Sequence, residues 1–412
     1  MSARRGACPT LFTPMQTGDG LLARIVPAER IAPARFIALC EAAARHGNGT
    51  IEVSARGSLQ VRGLSAQSAP RFAADAEQLG IAAPGVPVIT NPLVGDPTAL
   101  LDAAGIVASL RAAIDDAGLA LAPKVSVIVD GGGALHLDAL ATDVRLRAIE
   151  TNGGACFHVA VAGDAATATP LGMIPAGAAI NVVLGLLRAI AARGDGRAAD
   201  LLRSEGVAAF QNGSHPWRDV ARPQPRPAAE TIGLHPLRDD RFAVGVALAF
   251  GHAHAEDLAA LARAAADREV SAVRPAPDRA VLLIGLRRSD AVALAREAER
   301  LDFIVRADDP RRRIIACPGR PACASGLIAS RAIAAEIARF RQSPGNRIAV
   351  HVSGCRKGCA HPAAAALTIV GTERGCGIVH DGSARATPCA YIDLANIAAE
   401  FARFATSEAA HG

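Results

Sequence analysis

The sequence predicts an α+β fold in which two ferredoxin-like half-domains are each followed by an α/β lobe. Three observations point to it. A strand–helix–hairpin–helix order over residues 18–79 returns over residues 233–301. At the end of each hairpin, Leu59-Gln-Val-Arg-Gly-Leu64 aligns with Val281-Leu-Leu-Ile-Gly-Leu286, an internal repeat whose period is about half the chain. Two close-spaced cysteine pairs, Cys317/Cys323 and Cys355/Cys359, then set the last quarter apart as a lobe with its own chemistry. The expected units are residues 1–82, the first half-domain; 83–225, the first α/β lobe; 226–308, the second half-domain; and 309–412, the cysteine-bearing lobe.

In chain order, Gly18-Asp-Gly20 is a turn and residues 21–26 a short strand. Residues 32–46 carry helical apolar spacing, closed by Gly47-Asn-Gly49. Residues 50–64 alternate as a hairpin that turns at Arg56-Gly-Ser58, and residues 68–79 form a second helix. Strand, helix, hairpin and helix make about half of a ferredoxin-like fold. In the first lobe, strands are expected at 86–90, 124–130 and 156–162, and helices at 98–117, 176–193 and 198–205. Pro175 stands just before one of these helices, where its missing amide hydrogen costs nothing. Residues 216–227 (PWRDVARPQPRP) read as a linker. The second unit repeats the first, with a helix at 255–266, a hairpin at 272–286 and a helix at 289–301. The last lobe has a helix over 324–340, strands at 347–352 and 367–370, and a terminal helix from 394.

Composition narrows the function. Half the residues are hydrophobic and only 3% aromatic. No apolar run reaches a membrane-spanning length. The twin arginine Arg4-Arg5 has no apolar stretch behind it, so no export signal is expected and the chain is placed in the cytoplasm. The net charge of +5 is carried almost wholly by arginine, since Lys124 and Lys357 are the only lysines. Arginine suits two-point recognition of carboxylates, which points to an acidic small molecule. Without a dense basic run or aromatic stacking surface, nucleic acid is not the expected partner.

Cys317, Cys323, Cys355 and Cys359 read as the ligands of one 4Fe-4S cluster, because each iron takes one thiolate and all four must reach one point. Cys355 and Cys359 are four apart and would share a helical face. Pro318, Gly319 and Pro321 break regular structure between the first pair, and Gly354 and Gly358 let backbone approach the sulfides. The helix expected from residue 324 would present free amides to an anionic cluster. Structural zinc is the competing reading, but its pairs usually have two-residue gaps, whereas these gaps are five and three. The odd total of nine cysteines argues against a disulfide framework. Cys8, Cys40, Cys156, Cys376 and Cys389 are taken as ordinary thiols. Gly131-Gly-Gly133 is followed by Ala-Leu-His rather than a phosphate-binding helix, so it reads as a turn. Electrons are therefore expected from a separate reductase, with no direct NADH binding.

These features together resemble the sulfite and nitrite reductase superfamily over nearly the whole chain. The resemblance implies a nitrite/sulfite reductase-like architecture with a tetrapyrrole beside the cluster, siroheme in the reductases, held by basic residues at its carboxylates. Ser54-Ala-Arg56-Gly-Ser-Leu-Gln60-Val-Arg62-Gly63-Leu64 matches the family's arginine-bearing hairpin, and Arg274 precedes Gly285 as in the family's second repeat. Arg24 stands where the family has a basic residue, and Lys124 follows Pro123 where the reductases begin a lysine pair. Ser126 replaces the second of those lysines, which weakens the case for sulfite or nitrite chemistry.

The precorrin-3B synthase branch is the better match. Arg5-Gly-Ala-Cys8-Pro9, Gly18-Asp-Gly20-Leu-Leu22 and His351-Val-Ser-Gly-Cys355-Arg-Lys-Gly-Cys359-Ala-His361-Pro362 are similar to it. That branch implies a monooxygenase that uses dioxygen to hydroxylate precorrin-3A at C20, with γ-lactone closure, in aerobic cobalamin biosynthesis. It implies Arg24, Arg56, Arg62, Lys124 and Arg274 as substrate-binding residues. It also implies a mononuclear non-haem iron, for which His136, His158, His215, His351 and His361 are candidates, the last two foremost. Arg356 and Lys357 would offset cluster charge or dock a donor. Two rival readings stay open: a siroheme-dependent sulfite or nitrite reductase, and a non-catalytic iron–sulfur or tetrapyrrole-binding protein.

Overall fold

A computed structural model of the chain describes residues 9–27, 30–83, 85–194, 196–211, 217–218, 221–340 and 349–393. The expected terminal helix from 394 lies outside them, as do Cys8 and His215.

The first half-domain comprises β1 (Met15–Thr17), β2 (Gly20–Ile25), α1 (Pro33–His46), β3 (Thr50–Val53), β4 (Leu59–Leu64) and α2 (Ser68–Gln78). The first lobe follows with β5 (Val88–Thr90), α3 (Ala103–Asp116), β6 (Val127–Asp130), β7 (Thr142–Thr151), β8 (Gly154–Gly163), β9 (Thr169–Pro175), α4 (Ala179–Ala191), α5 (Ala198–Glu205) and α6 (Ala208–Gln211). The second half-domain has β10 (Gly233–Pro236), β11 (Phe242–Ala247), β12 (His252–His254), α7 (Ala255–Ala266), β13 (Ala272–Ala276), β14 (Ala280–Leu286) and α8 (Arg288–Arg300). The last lobe has β15 (Ile314–Ala316), α9 (Ser330–Phe340), β16 (Val350–Ser353), β17 (Ala365–Thr372), β18 (Gly375–Gly382) and β19 (Ala390–Ile392). Among the described residues no helix is long and apolar enough to cross a membrane.

The repeat extends to hydrogen-bond register. The half-domain sheets run β1-β2-β4-β3 and β10-β11-β14-β13, all antiparallel. Glu52 faces Gln60 in the first hairpin as Arg274 faces Leu282 in the second. A register shift falls near the start of both β2 and β11. The lobe sheets run β5-β6-β7-β8-β9 and β15-β16-β17-β18-β19, with the first two pairings parallel and the last two antiparallel in each.

One core serves both half-domains. Phe36 and Leu39 of α1 and Leu258 and Leu261 of α7 belong to a single buried cluster, and α1 packs on α7. The strand β12 of the second half-domain completes the first half-domain's sheet by pairing with β3.

Several elements differ from the sequence reading for local reasons. The helix expected from 98 starts at Ala103, because Asp96 draws the Thr98 amide and hydroxyl into a turn and Asp102 caps Ala104 at 3.1 Å. The helix expected from 324 starts at Ser330: the Gly326 amide bonds Cys323 O and the Leu327 amide bonds Gly354 O, so the backbone ahead of it is committed to the cysteine loop. The first cysteine pair is therefore not at a helix N-terminus. Strands β1, β7, β9, β12, β15, β18 and β19 fall outside the strands expected from the sequence. The linker is a strap on the first lobe rather than a free tether. The Arg218 carbonyl accepts from Met173, Arg222 donates to Ala168 O, Arg147 donates to Gln224 O, and Arg226 pairs with both Asp130 and Asp138.

Candidate functional site

The cysteine loops leave the C-terminal ends of two adjacent parallel strands. Ala316 of β15 is level with Val352 of β16, so Cys317 and Ser353-Gly354-Cys355 emerge side by side. The Cys317 amide bonds Val352 O at 3.2 Å, and the Gly354 amide donates to Cys317 Sγ at 3.0 Å. The Leu327 amide bonds Gly354 O at 2.7 Å, and Lys357 Nζ reaches Ser325 Oγ at 2.7 Å, tying one loop to the other. Gly319, at φ +63°, has no room for a side chain, since a Cβ there would lie 2.5 Å from the Ser330 amide nitrogen. A Cβ on Gly354 would lie 3.0 Å from Gly319 Cα.

All four thiols are free of disulfides; Cys317 is buried, Cys323 and Cys355 half-buried and Cys359 exposed. Among the described residues no three His, Cys, Asp or Glu side chains converge as around one metal ion. In a cubane each thiolate binds its own iron, so the four ligands gather around the cluster rather than on one shared ion. Four thiols outside any disulfide, on two interlocked loops and one of them already accepting a backbone amide, fit such a group. Arg356 donates to Arg385 O.

The arginines sort into two groups. Arg24, Arg56 and Arg274 line one hollow of about 50 Å³, together with Arg111 of α3, which sequence reasoning missed. A lone charge within the apolar stretch Ile106-Val-Ala-Ser-Leu-Arg-Ala-Ala-Ile114 is the signal that could have found it. Arg24 donates to Ser58 Oγ at 3.2 Å, Arg56 to Ala141 O at 2.5 Å, Arg111 to Val88 O at 2.7 Å and Arg274 to Thr90 O at 3.2 Å.

Arg62 is elsewhere. Its guanidinium binds Asp19 through two nitrogens at 2.9 and 3.0 Å, approaches Glu52 at 3.4 Å and donates to Ala322 O inside the cysteine loop at 2.5 Å. Burial acts to raise the Asp19 carboxyl, but Arg62 and Thr17 outweigh it and hold it below the usual carboxylate range. Lys124 is exposed on the turn before β6 and lines neither this hollow nor the larger cavity described below; Ser126 is buried in hydrogen bonds with Asp143 and Thr142.

Of the candidate histidines, His351 is fully buried on β16 and neither ring nitrogen has a hydrogen-bond partner among the described residues. Its ring meets His361 edge to face at 5.6 Å. Burial, then His361 and Arg279, push its pKa down to about 4. His158 is buried on β8, and burial with Arg147 and Arg222 lowers it to about 4. His136 bonds the strap at Pro227 O, 2.7 Å away. The structure thus brings His351 and His361 together behind the second cysteine loop and leaves the other two described histidines in the first lobe.

A larger cavity of about 670 Å³ lies where the first lobe, the strap, the second half-domain and the start of the last lobe meet. Leu135, Leu137, Leu140, Phe250, Ile304 and Ile314 give it apolar walls, and its charged lining is six arginines, Arg147, Arg222, Arg226, Arg279, Arg311 and Arg312, with four acids, Asp138, Asp164, Glu230 and Asp278.

Comparison with known proteins bears on the whole chain. Residues 13–79 match the nitrite/sulfite reductase ferredoxin-like half-domain family. The structure of the NirA protein of Mycobacterium tuberculosis superposes with a TM-score of 0.72 at 17% identity, covering 91% of this chain and 77% of that one, which shows a shared fold. A ferredoxin–nitrite reductase of Synechococcus elongatus is 24% identical over 88% of this chain and 78% of its own length. A precorrin-3B synthase of Sinorhizobium sp is 37% identical over 409 residues, 98% of this chain and 88% of that protein. With the duplicated reductase-type fold and a likeness of that extent, the chain belongs to the precorrin-3B synthase family.

Proposed function

We propose that the chain is an oxygen-dependent monooxygenase that hydroxylates precorrin-3A at C20 and closes a γ-lactone. The observation that carries this reading is the interlocking of the two cysteine loops at adjacent strand ends, in a chain whose near-full-length relative bears the synthase name. Cys317, Cys323, Cys355 and Cys359 would hold a 4Fe-4S cluster, and His351 and His361 are the side chains best placed to serve a second, mononuclear iron. When bound, these groups supply single electrons and a place to activate oxygen.

The protein's own part is to bind and orient. Arg24, Arg56 and Arg274, with Arg111 beside them, would take peripheral carboxylates of the macrocycle. Arg62 would act at one remove, by fixing the loop around Ala322 rather than by touching substrate. A phosphate-bearing donor has no welcome at Gly131-Gly-Gly133. The Gly131 amide goes to Asn91 Oδ1 at 2.6 Å, the Gly132 amide to Asp130 at 2.9 Å and the Ala134 amide to Asp96 at 2.7 Å. A separate reductase would therefore supply the electrons, in the cytoplasm, where thiols stay reduced.

The test is anaerobic purification with iron and sulfide analysis and an absorption spectrum. Turnover of precorrin-3A under ¹⁸O₂ follows, and should leave one labelled oxygen in the product. A siroheme spectrum with sulfite or nitrite reduction and no label uptake would sink the reading in favour of a reductase. Cys355→Ser should lose both cluster and turnover; a fully active, fully loaded variant would remove Cys355 from the ligand set.

A further inference from the structure

The duplication built two related hollows, and only one has been given a role. In the second repeat, Ala247, Leu248, Asp278, Arg279 and Ile314 hold the places of Val26, Pro27, Arg56, Gly57 and Val88. The first set lines the 670 Å³ cavity and the second set the small arginine hollow. The two hairpin tips meet, Arg56 bridging Pro277, so the hollows lie on either side of one junction.

Arg279 is the informative difference between them. Gly57 occupies the left-handed region at φ +79°, as the last residue of a three-residue hairpin loop commonly does. Arg279 stands in the same place at φ +60°, directly after Asp278 at φ +63°. A side-chain-bearing residue is disfavoured there, and such strain tends to persist where a side chain has work to do. Its guanidinium is half-buried in the cavity wall and has no hydrogen-bond or ion-pair partner among the described residues. Burial holds its pKa below the usual arginine value. The other five cavity arginines are engaged: Arg312 with Glu230, Arg311 with Asp302 and Asp309, Arg226 with Asp130 and Asp138, Arg147 with Gln224 O and Arg222 with Ala168 O.

The geometry points to the 670 Å³ cavity as a binding site for a carboxylated macrocycle, with Arg279 as the anchor of one carboxylate. The apolar walls suit the body of such a ligand and the unengaged cation one of its acidic arms. The class of ligand rests on the function proposed above; the existence of the site does not, because binding is read here without turnover. The Arg24, Arg56 and Arg274 hollow adjoins it, the two sharing Pro92 and Pro277 in their walls.

Coproporphyrin III, a metal-free tetracarboxylate, is a suitable probe, its binding to the full chain followed by fluorescence. The decisive variant is Arg279→Gly, which restores the residue the first repeat uses and relieves the turn, so its melting temperature should not fall. Either of two results supports the site: one of two bound equivalents is lost, or a single equivalent binds at least tenfold more weakly. Unchanged stoichiometry and affinity in the folded variant overturns it. If the variant also turns over precorrin-3A normally, the cavity is a second seat rather than the reaction chamber; failure of wild-type turnover would count against the enzyme reading alone.

Discussion

Arg62 shows how a conspicuous residue can be read for the wrong contact. Its place in a family-like hairpin suggested substrate, but its guanidinium is consumed by Asp19, Glu52 and the Ala322 carbonyl. Nothing in a linear string marks a partner 260 residues away. Removing a buried ion-pair partner leaves carboxylates uncompensated, so Arg62→Met should cost about 3 kcal/mol near neutral pH. The pH dependence has a definite sign. Asp19 is depressed in the folded state, so its share of stability is complete above the unfolded carboxyl value near about 4 and is lost as pH falls through the lower folded value. The gap between wild type and variant in urea midpoints should therefore narrow from pH 7 to pH 3. A gap that stays constant would mean that the Ala322 hydrogen bond, not the ion pair, carries the effect. The two cysteine pairs, by contrast, stand out in the string because the spacing within each pair is a local property; that all four serve one cluster is the proposal made above. His158 does not: only the fold reveals that it is cross-strand from Arg147 and held neutral.

Among the elements, those with clean periodicity were legible to within a residue or two, such as α1, α5, α7 and the two hairpins. Strand β7 does carry the alternation of a strand, Val144, Leu146 and Ala148 against Asp143, Arg145 and Arg147; what only the fold reveals is that the arginine face is buried as well. The same polar face explains the strap. Asp130 is wholly buried at the end of β6 and Asp138 nearby, and Arg226 neutralises both. A Pro- and Arg-rich stretch looks like a tether in sequence; it becomes a fixed element once its arginine has a buried acid to bind. Arg226→Met should destabilise by about 3–5 kcal/mol and expose the strap to trypsin at Arg222. Unaltered cleavage kinetics together with an unshifted urea midpoint would show that the strap is held by other contacts.

The molecule as a whole is one duplication with shared interior rather than four beads on a string. Since α1 and α7 belong to the same core and β12 borrows a place beside β3, the half-domains should unfold together. Phe36→Ala and Leu258→Ala, each worth about 2–5 kcal/mol, should shift the same calorimetric transition. Two separately moving peaks would contradict the shared core. The repeat was legible from a hexapeptide and an order of elements. Its full extent, down to matched ladders and a matched register shift, emerges only when pairings are compared, because backbone geometry outlasts side-chain identity.

One pairing across that duplication has a consequence for how the finished protein is made. Asn91 stands in the first lobe where Cys317 stands in the second, and its Oδ1 receives the Gly131 amide as the thiol receives that of Gly354. A carboxamide thus holds the same bend that sulfur holds at the other end. The bend is set by a hydrogen bond in both lobes, so protein made without iron and sulfide is expected to fold and to take up its cluster afterwards, and an apoprotein that stays unfolded would contradict this.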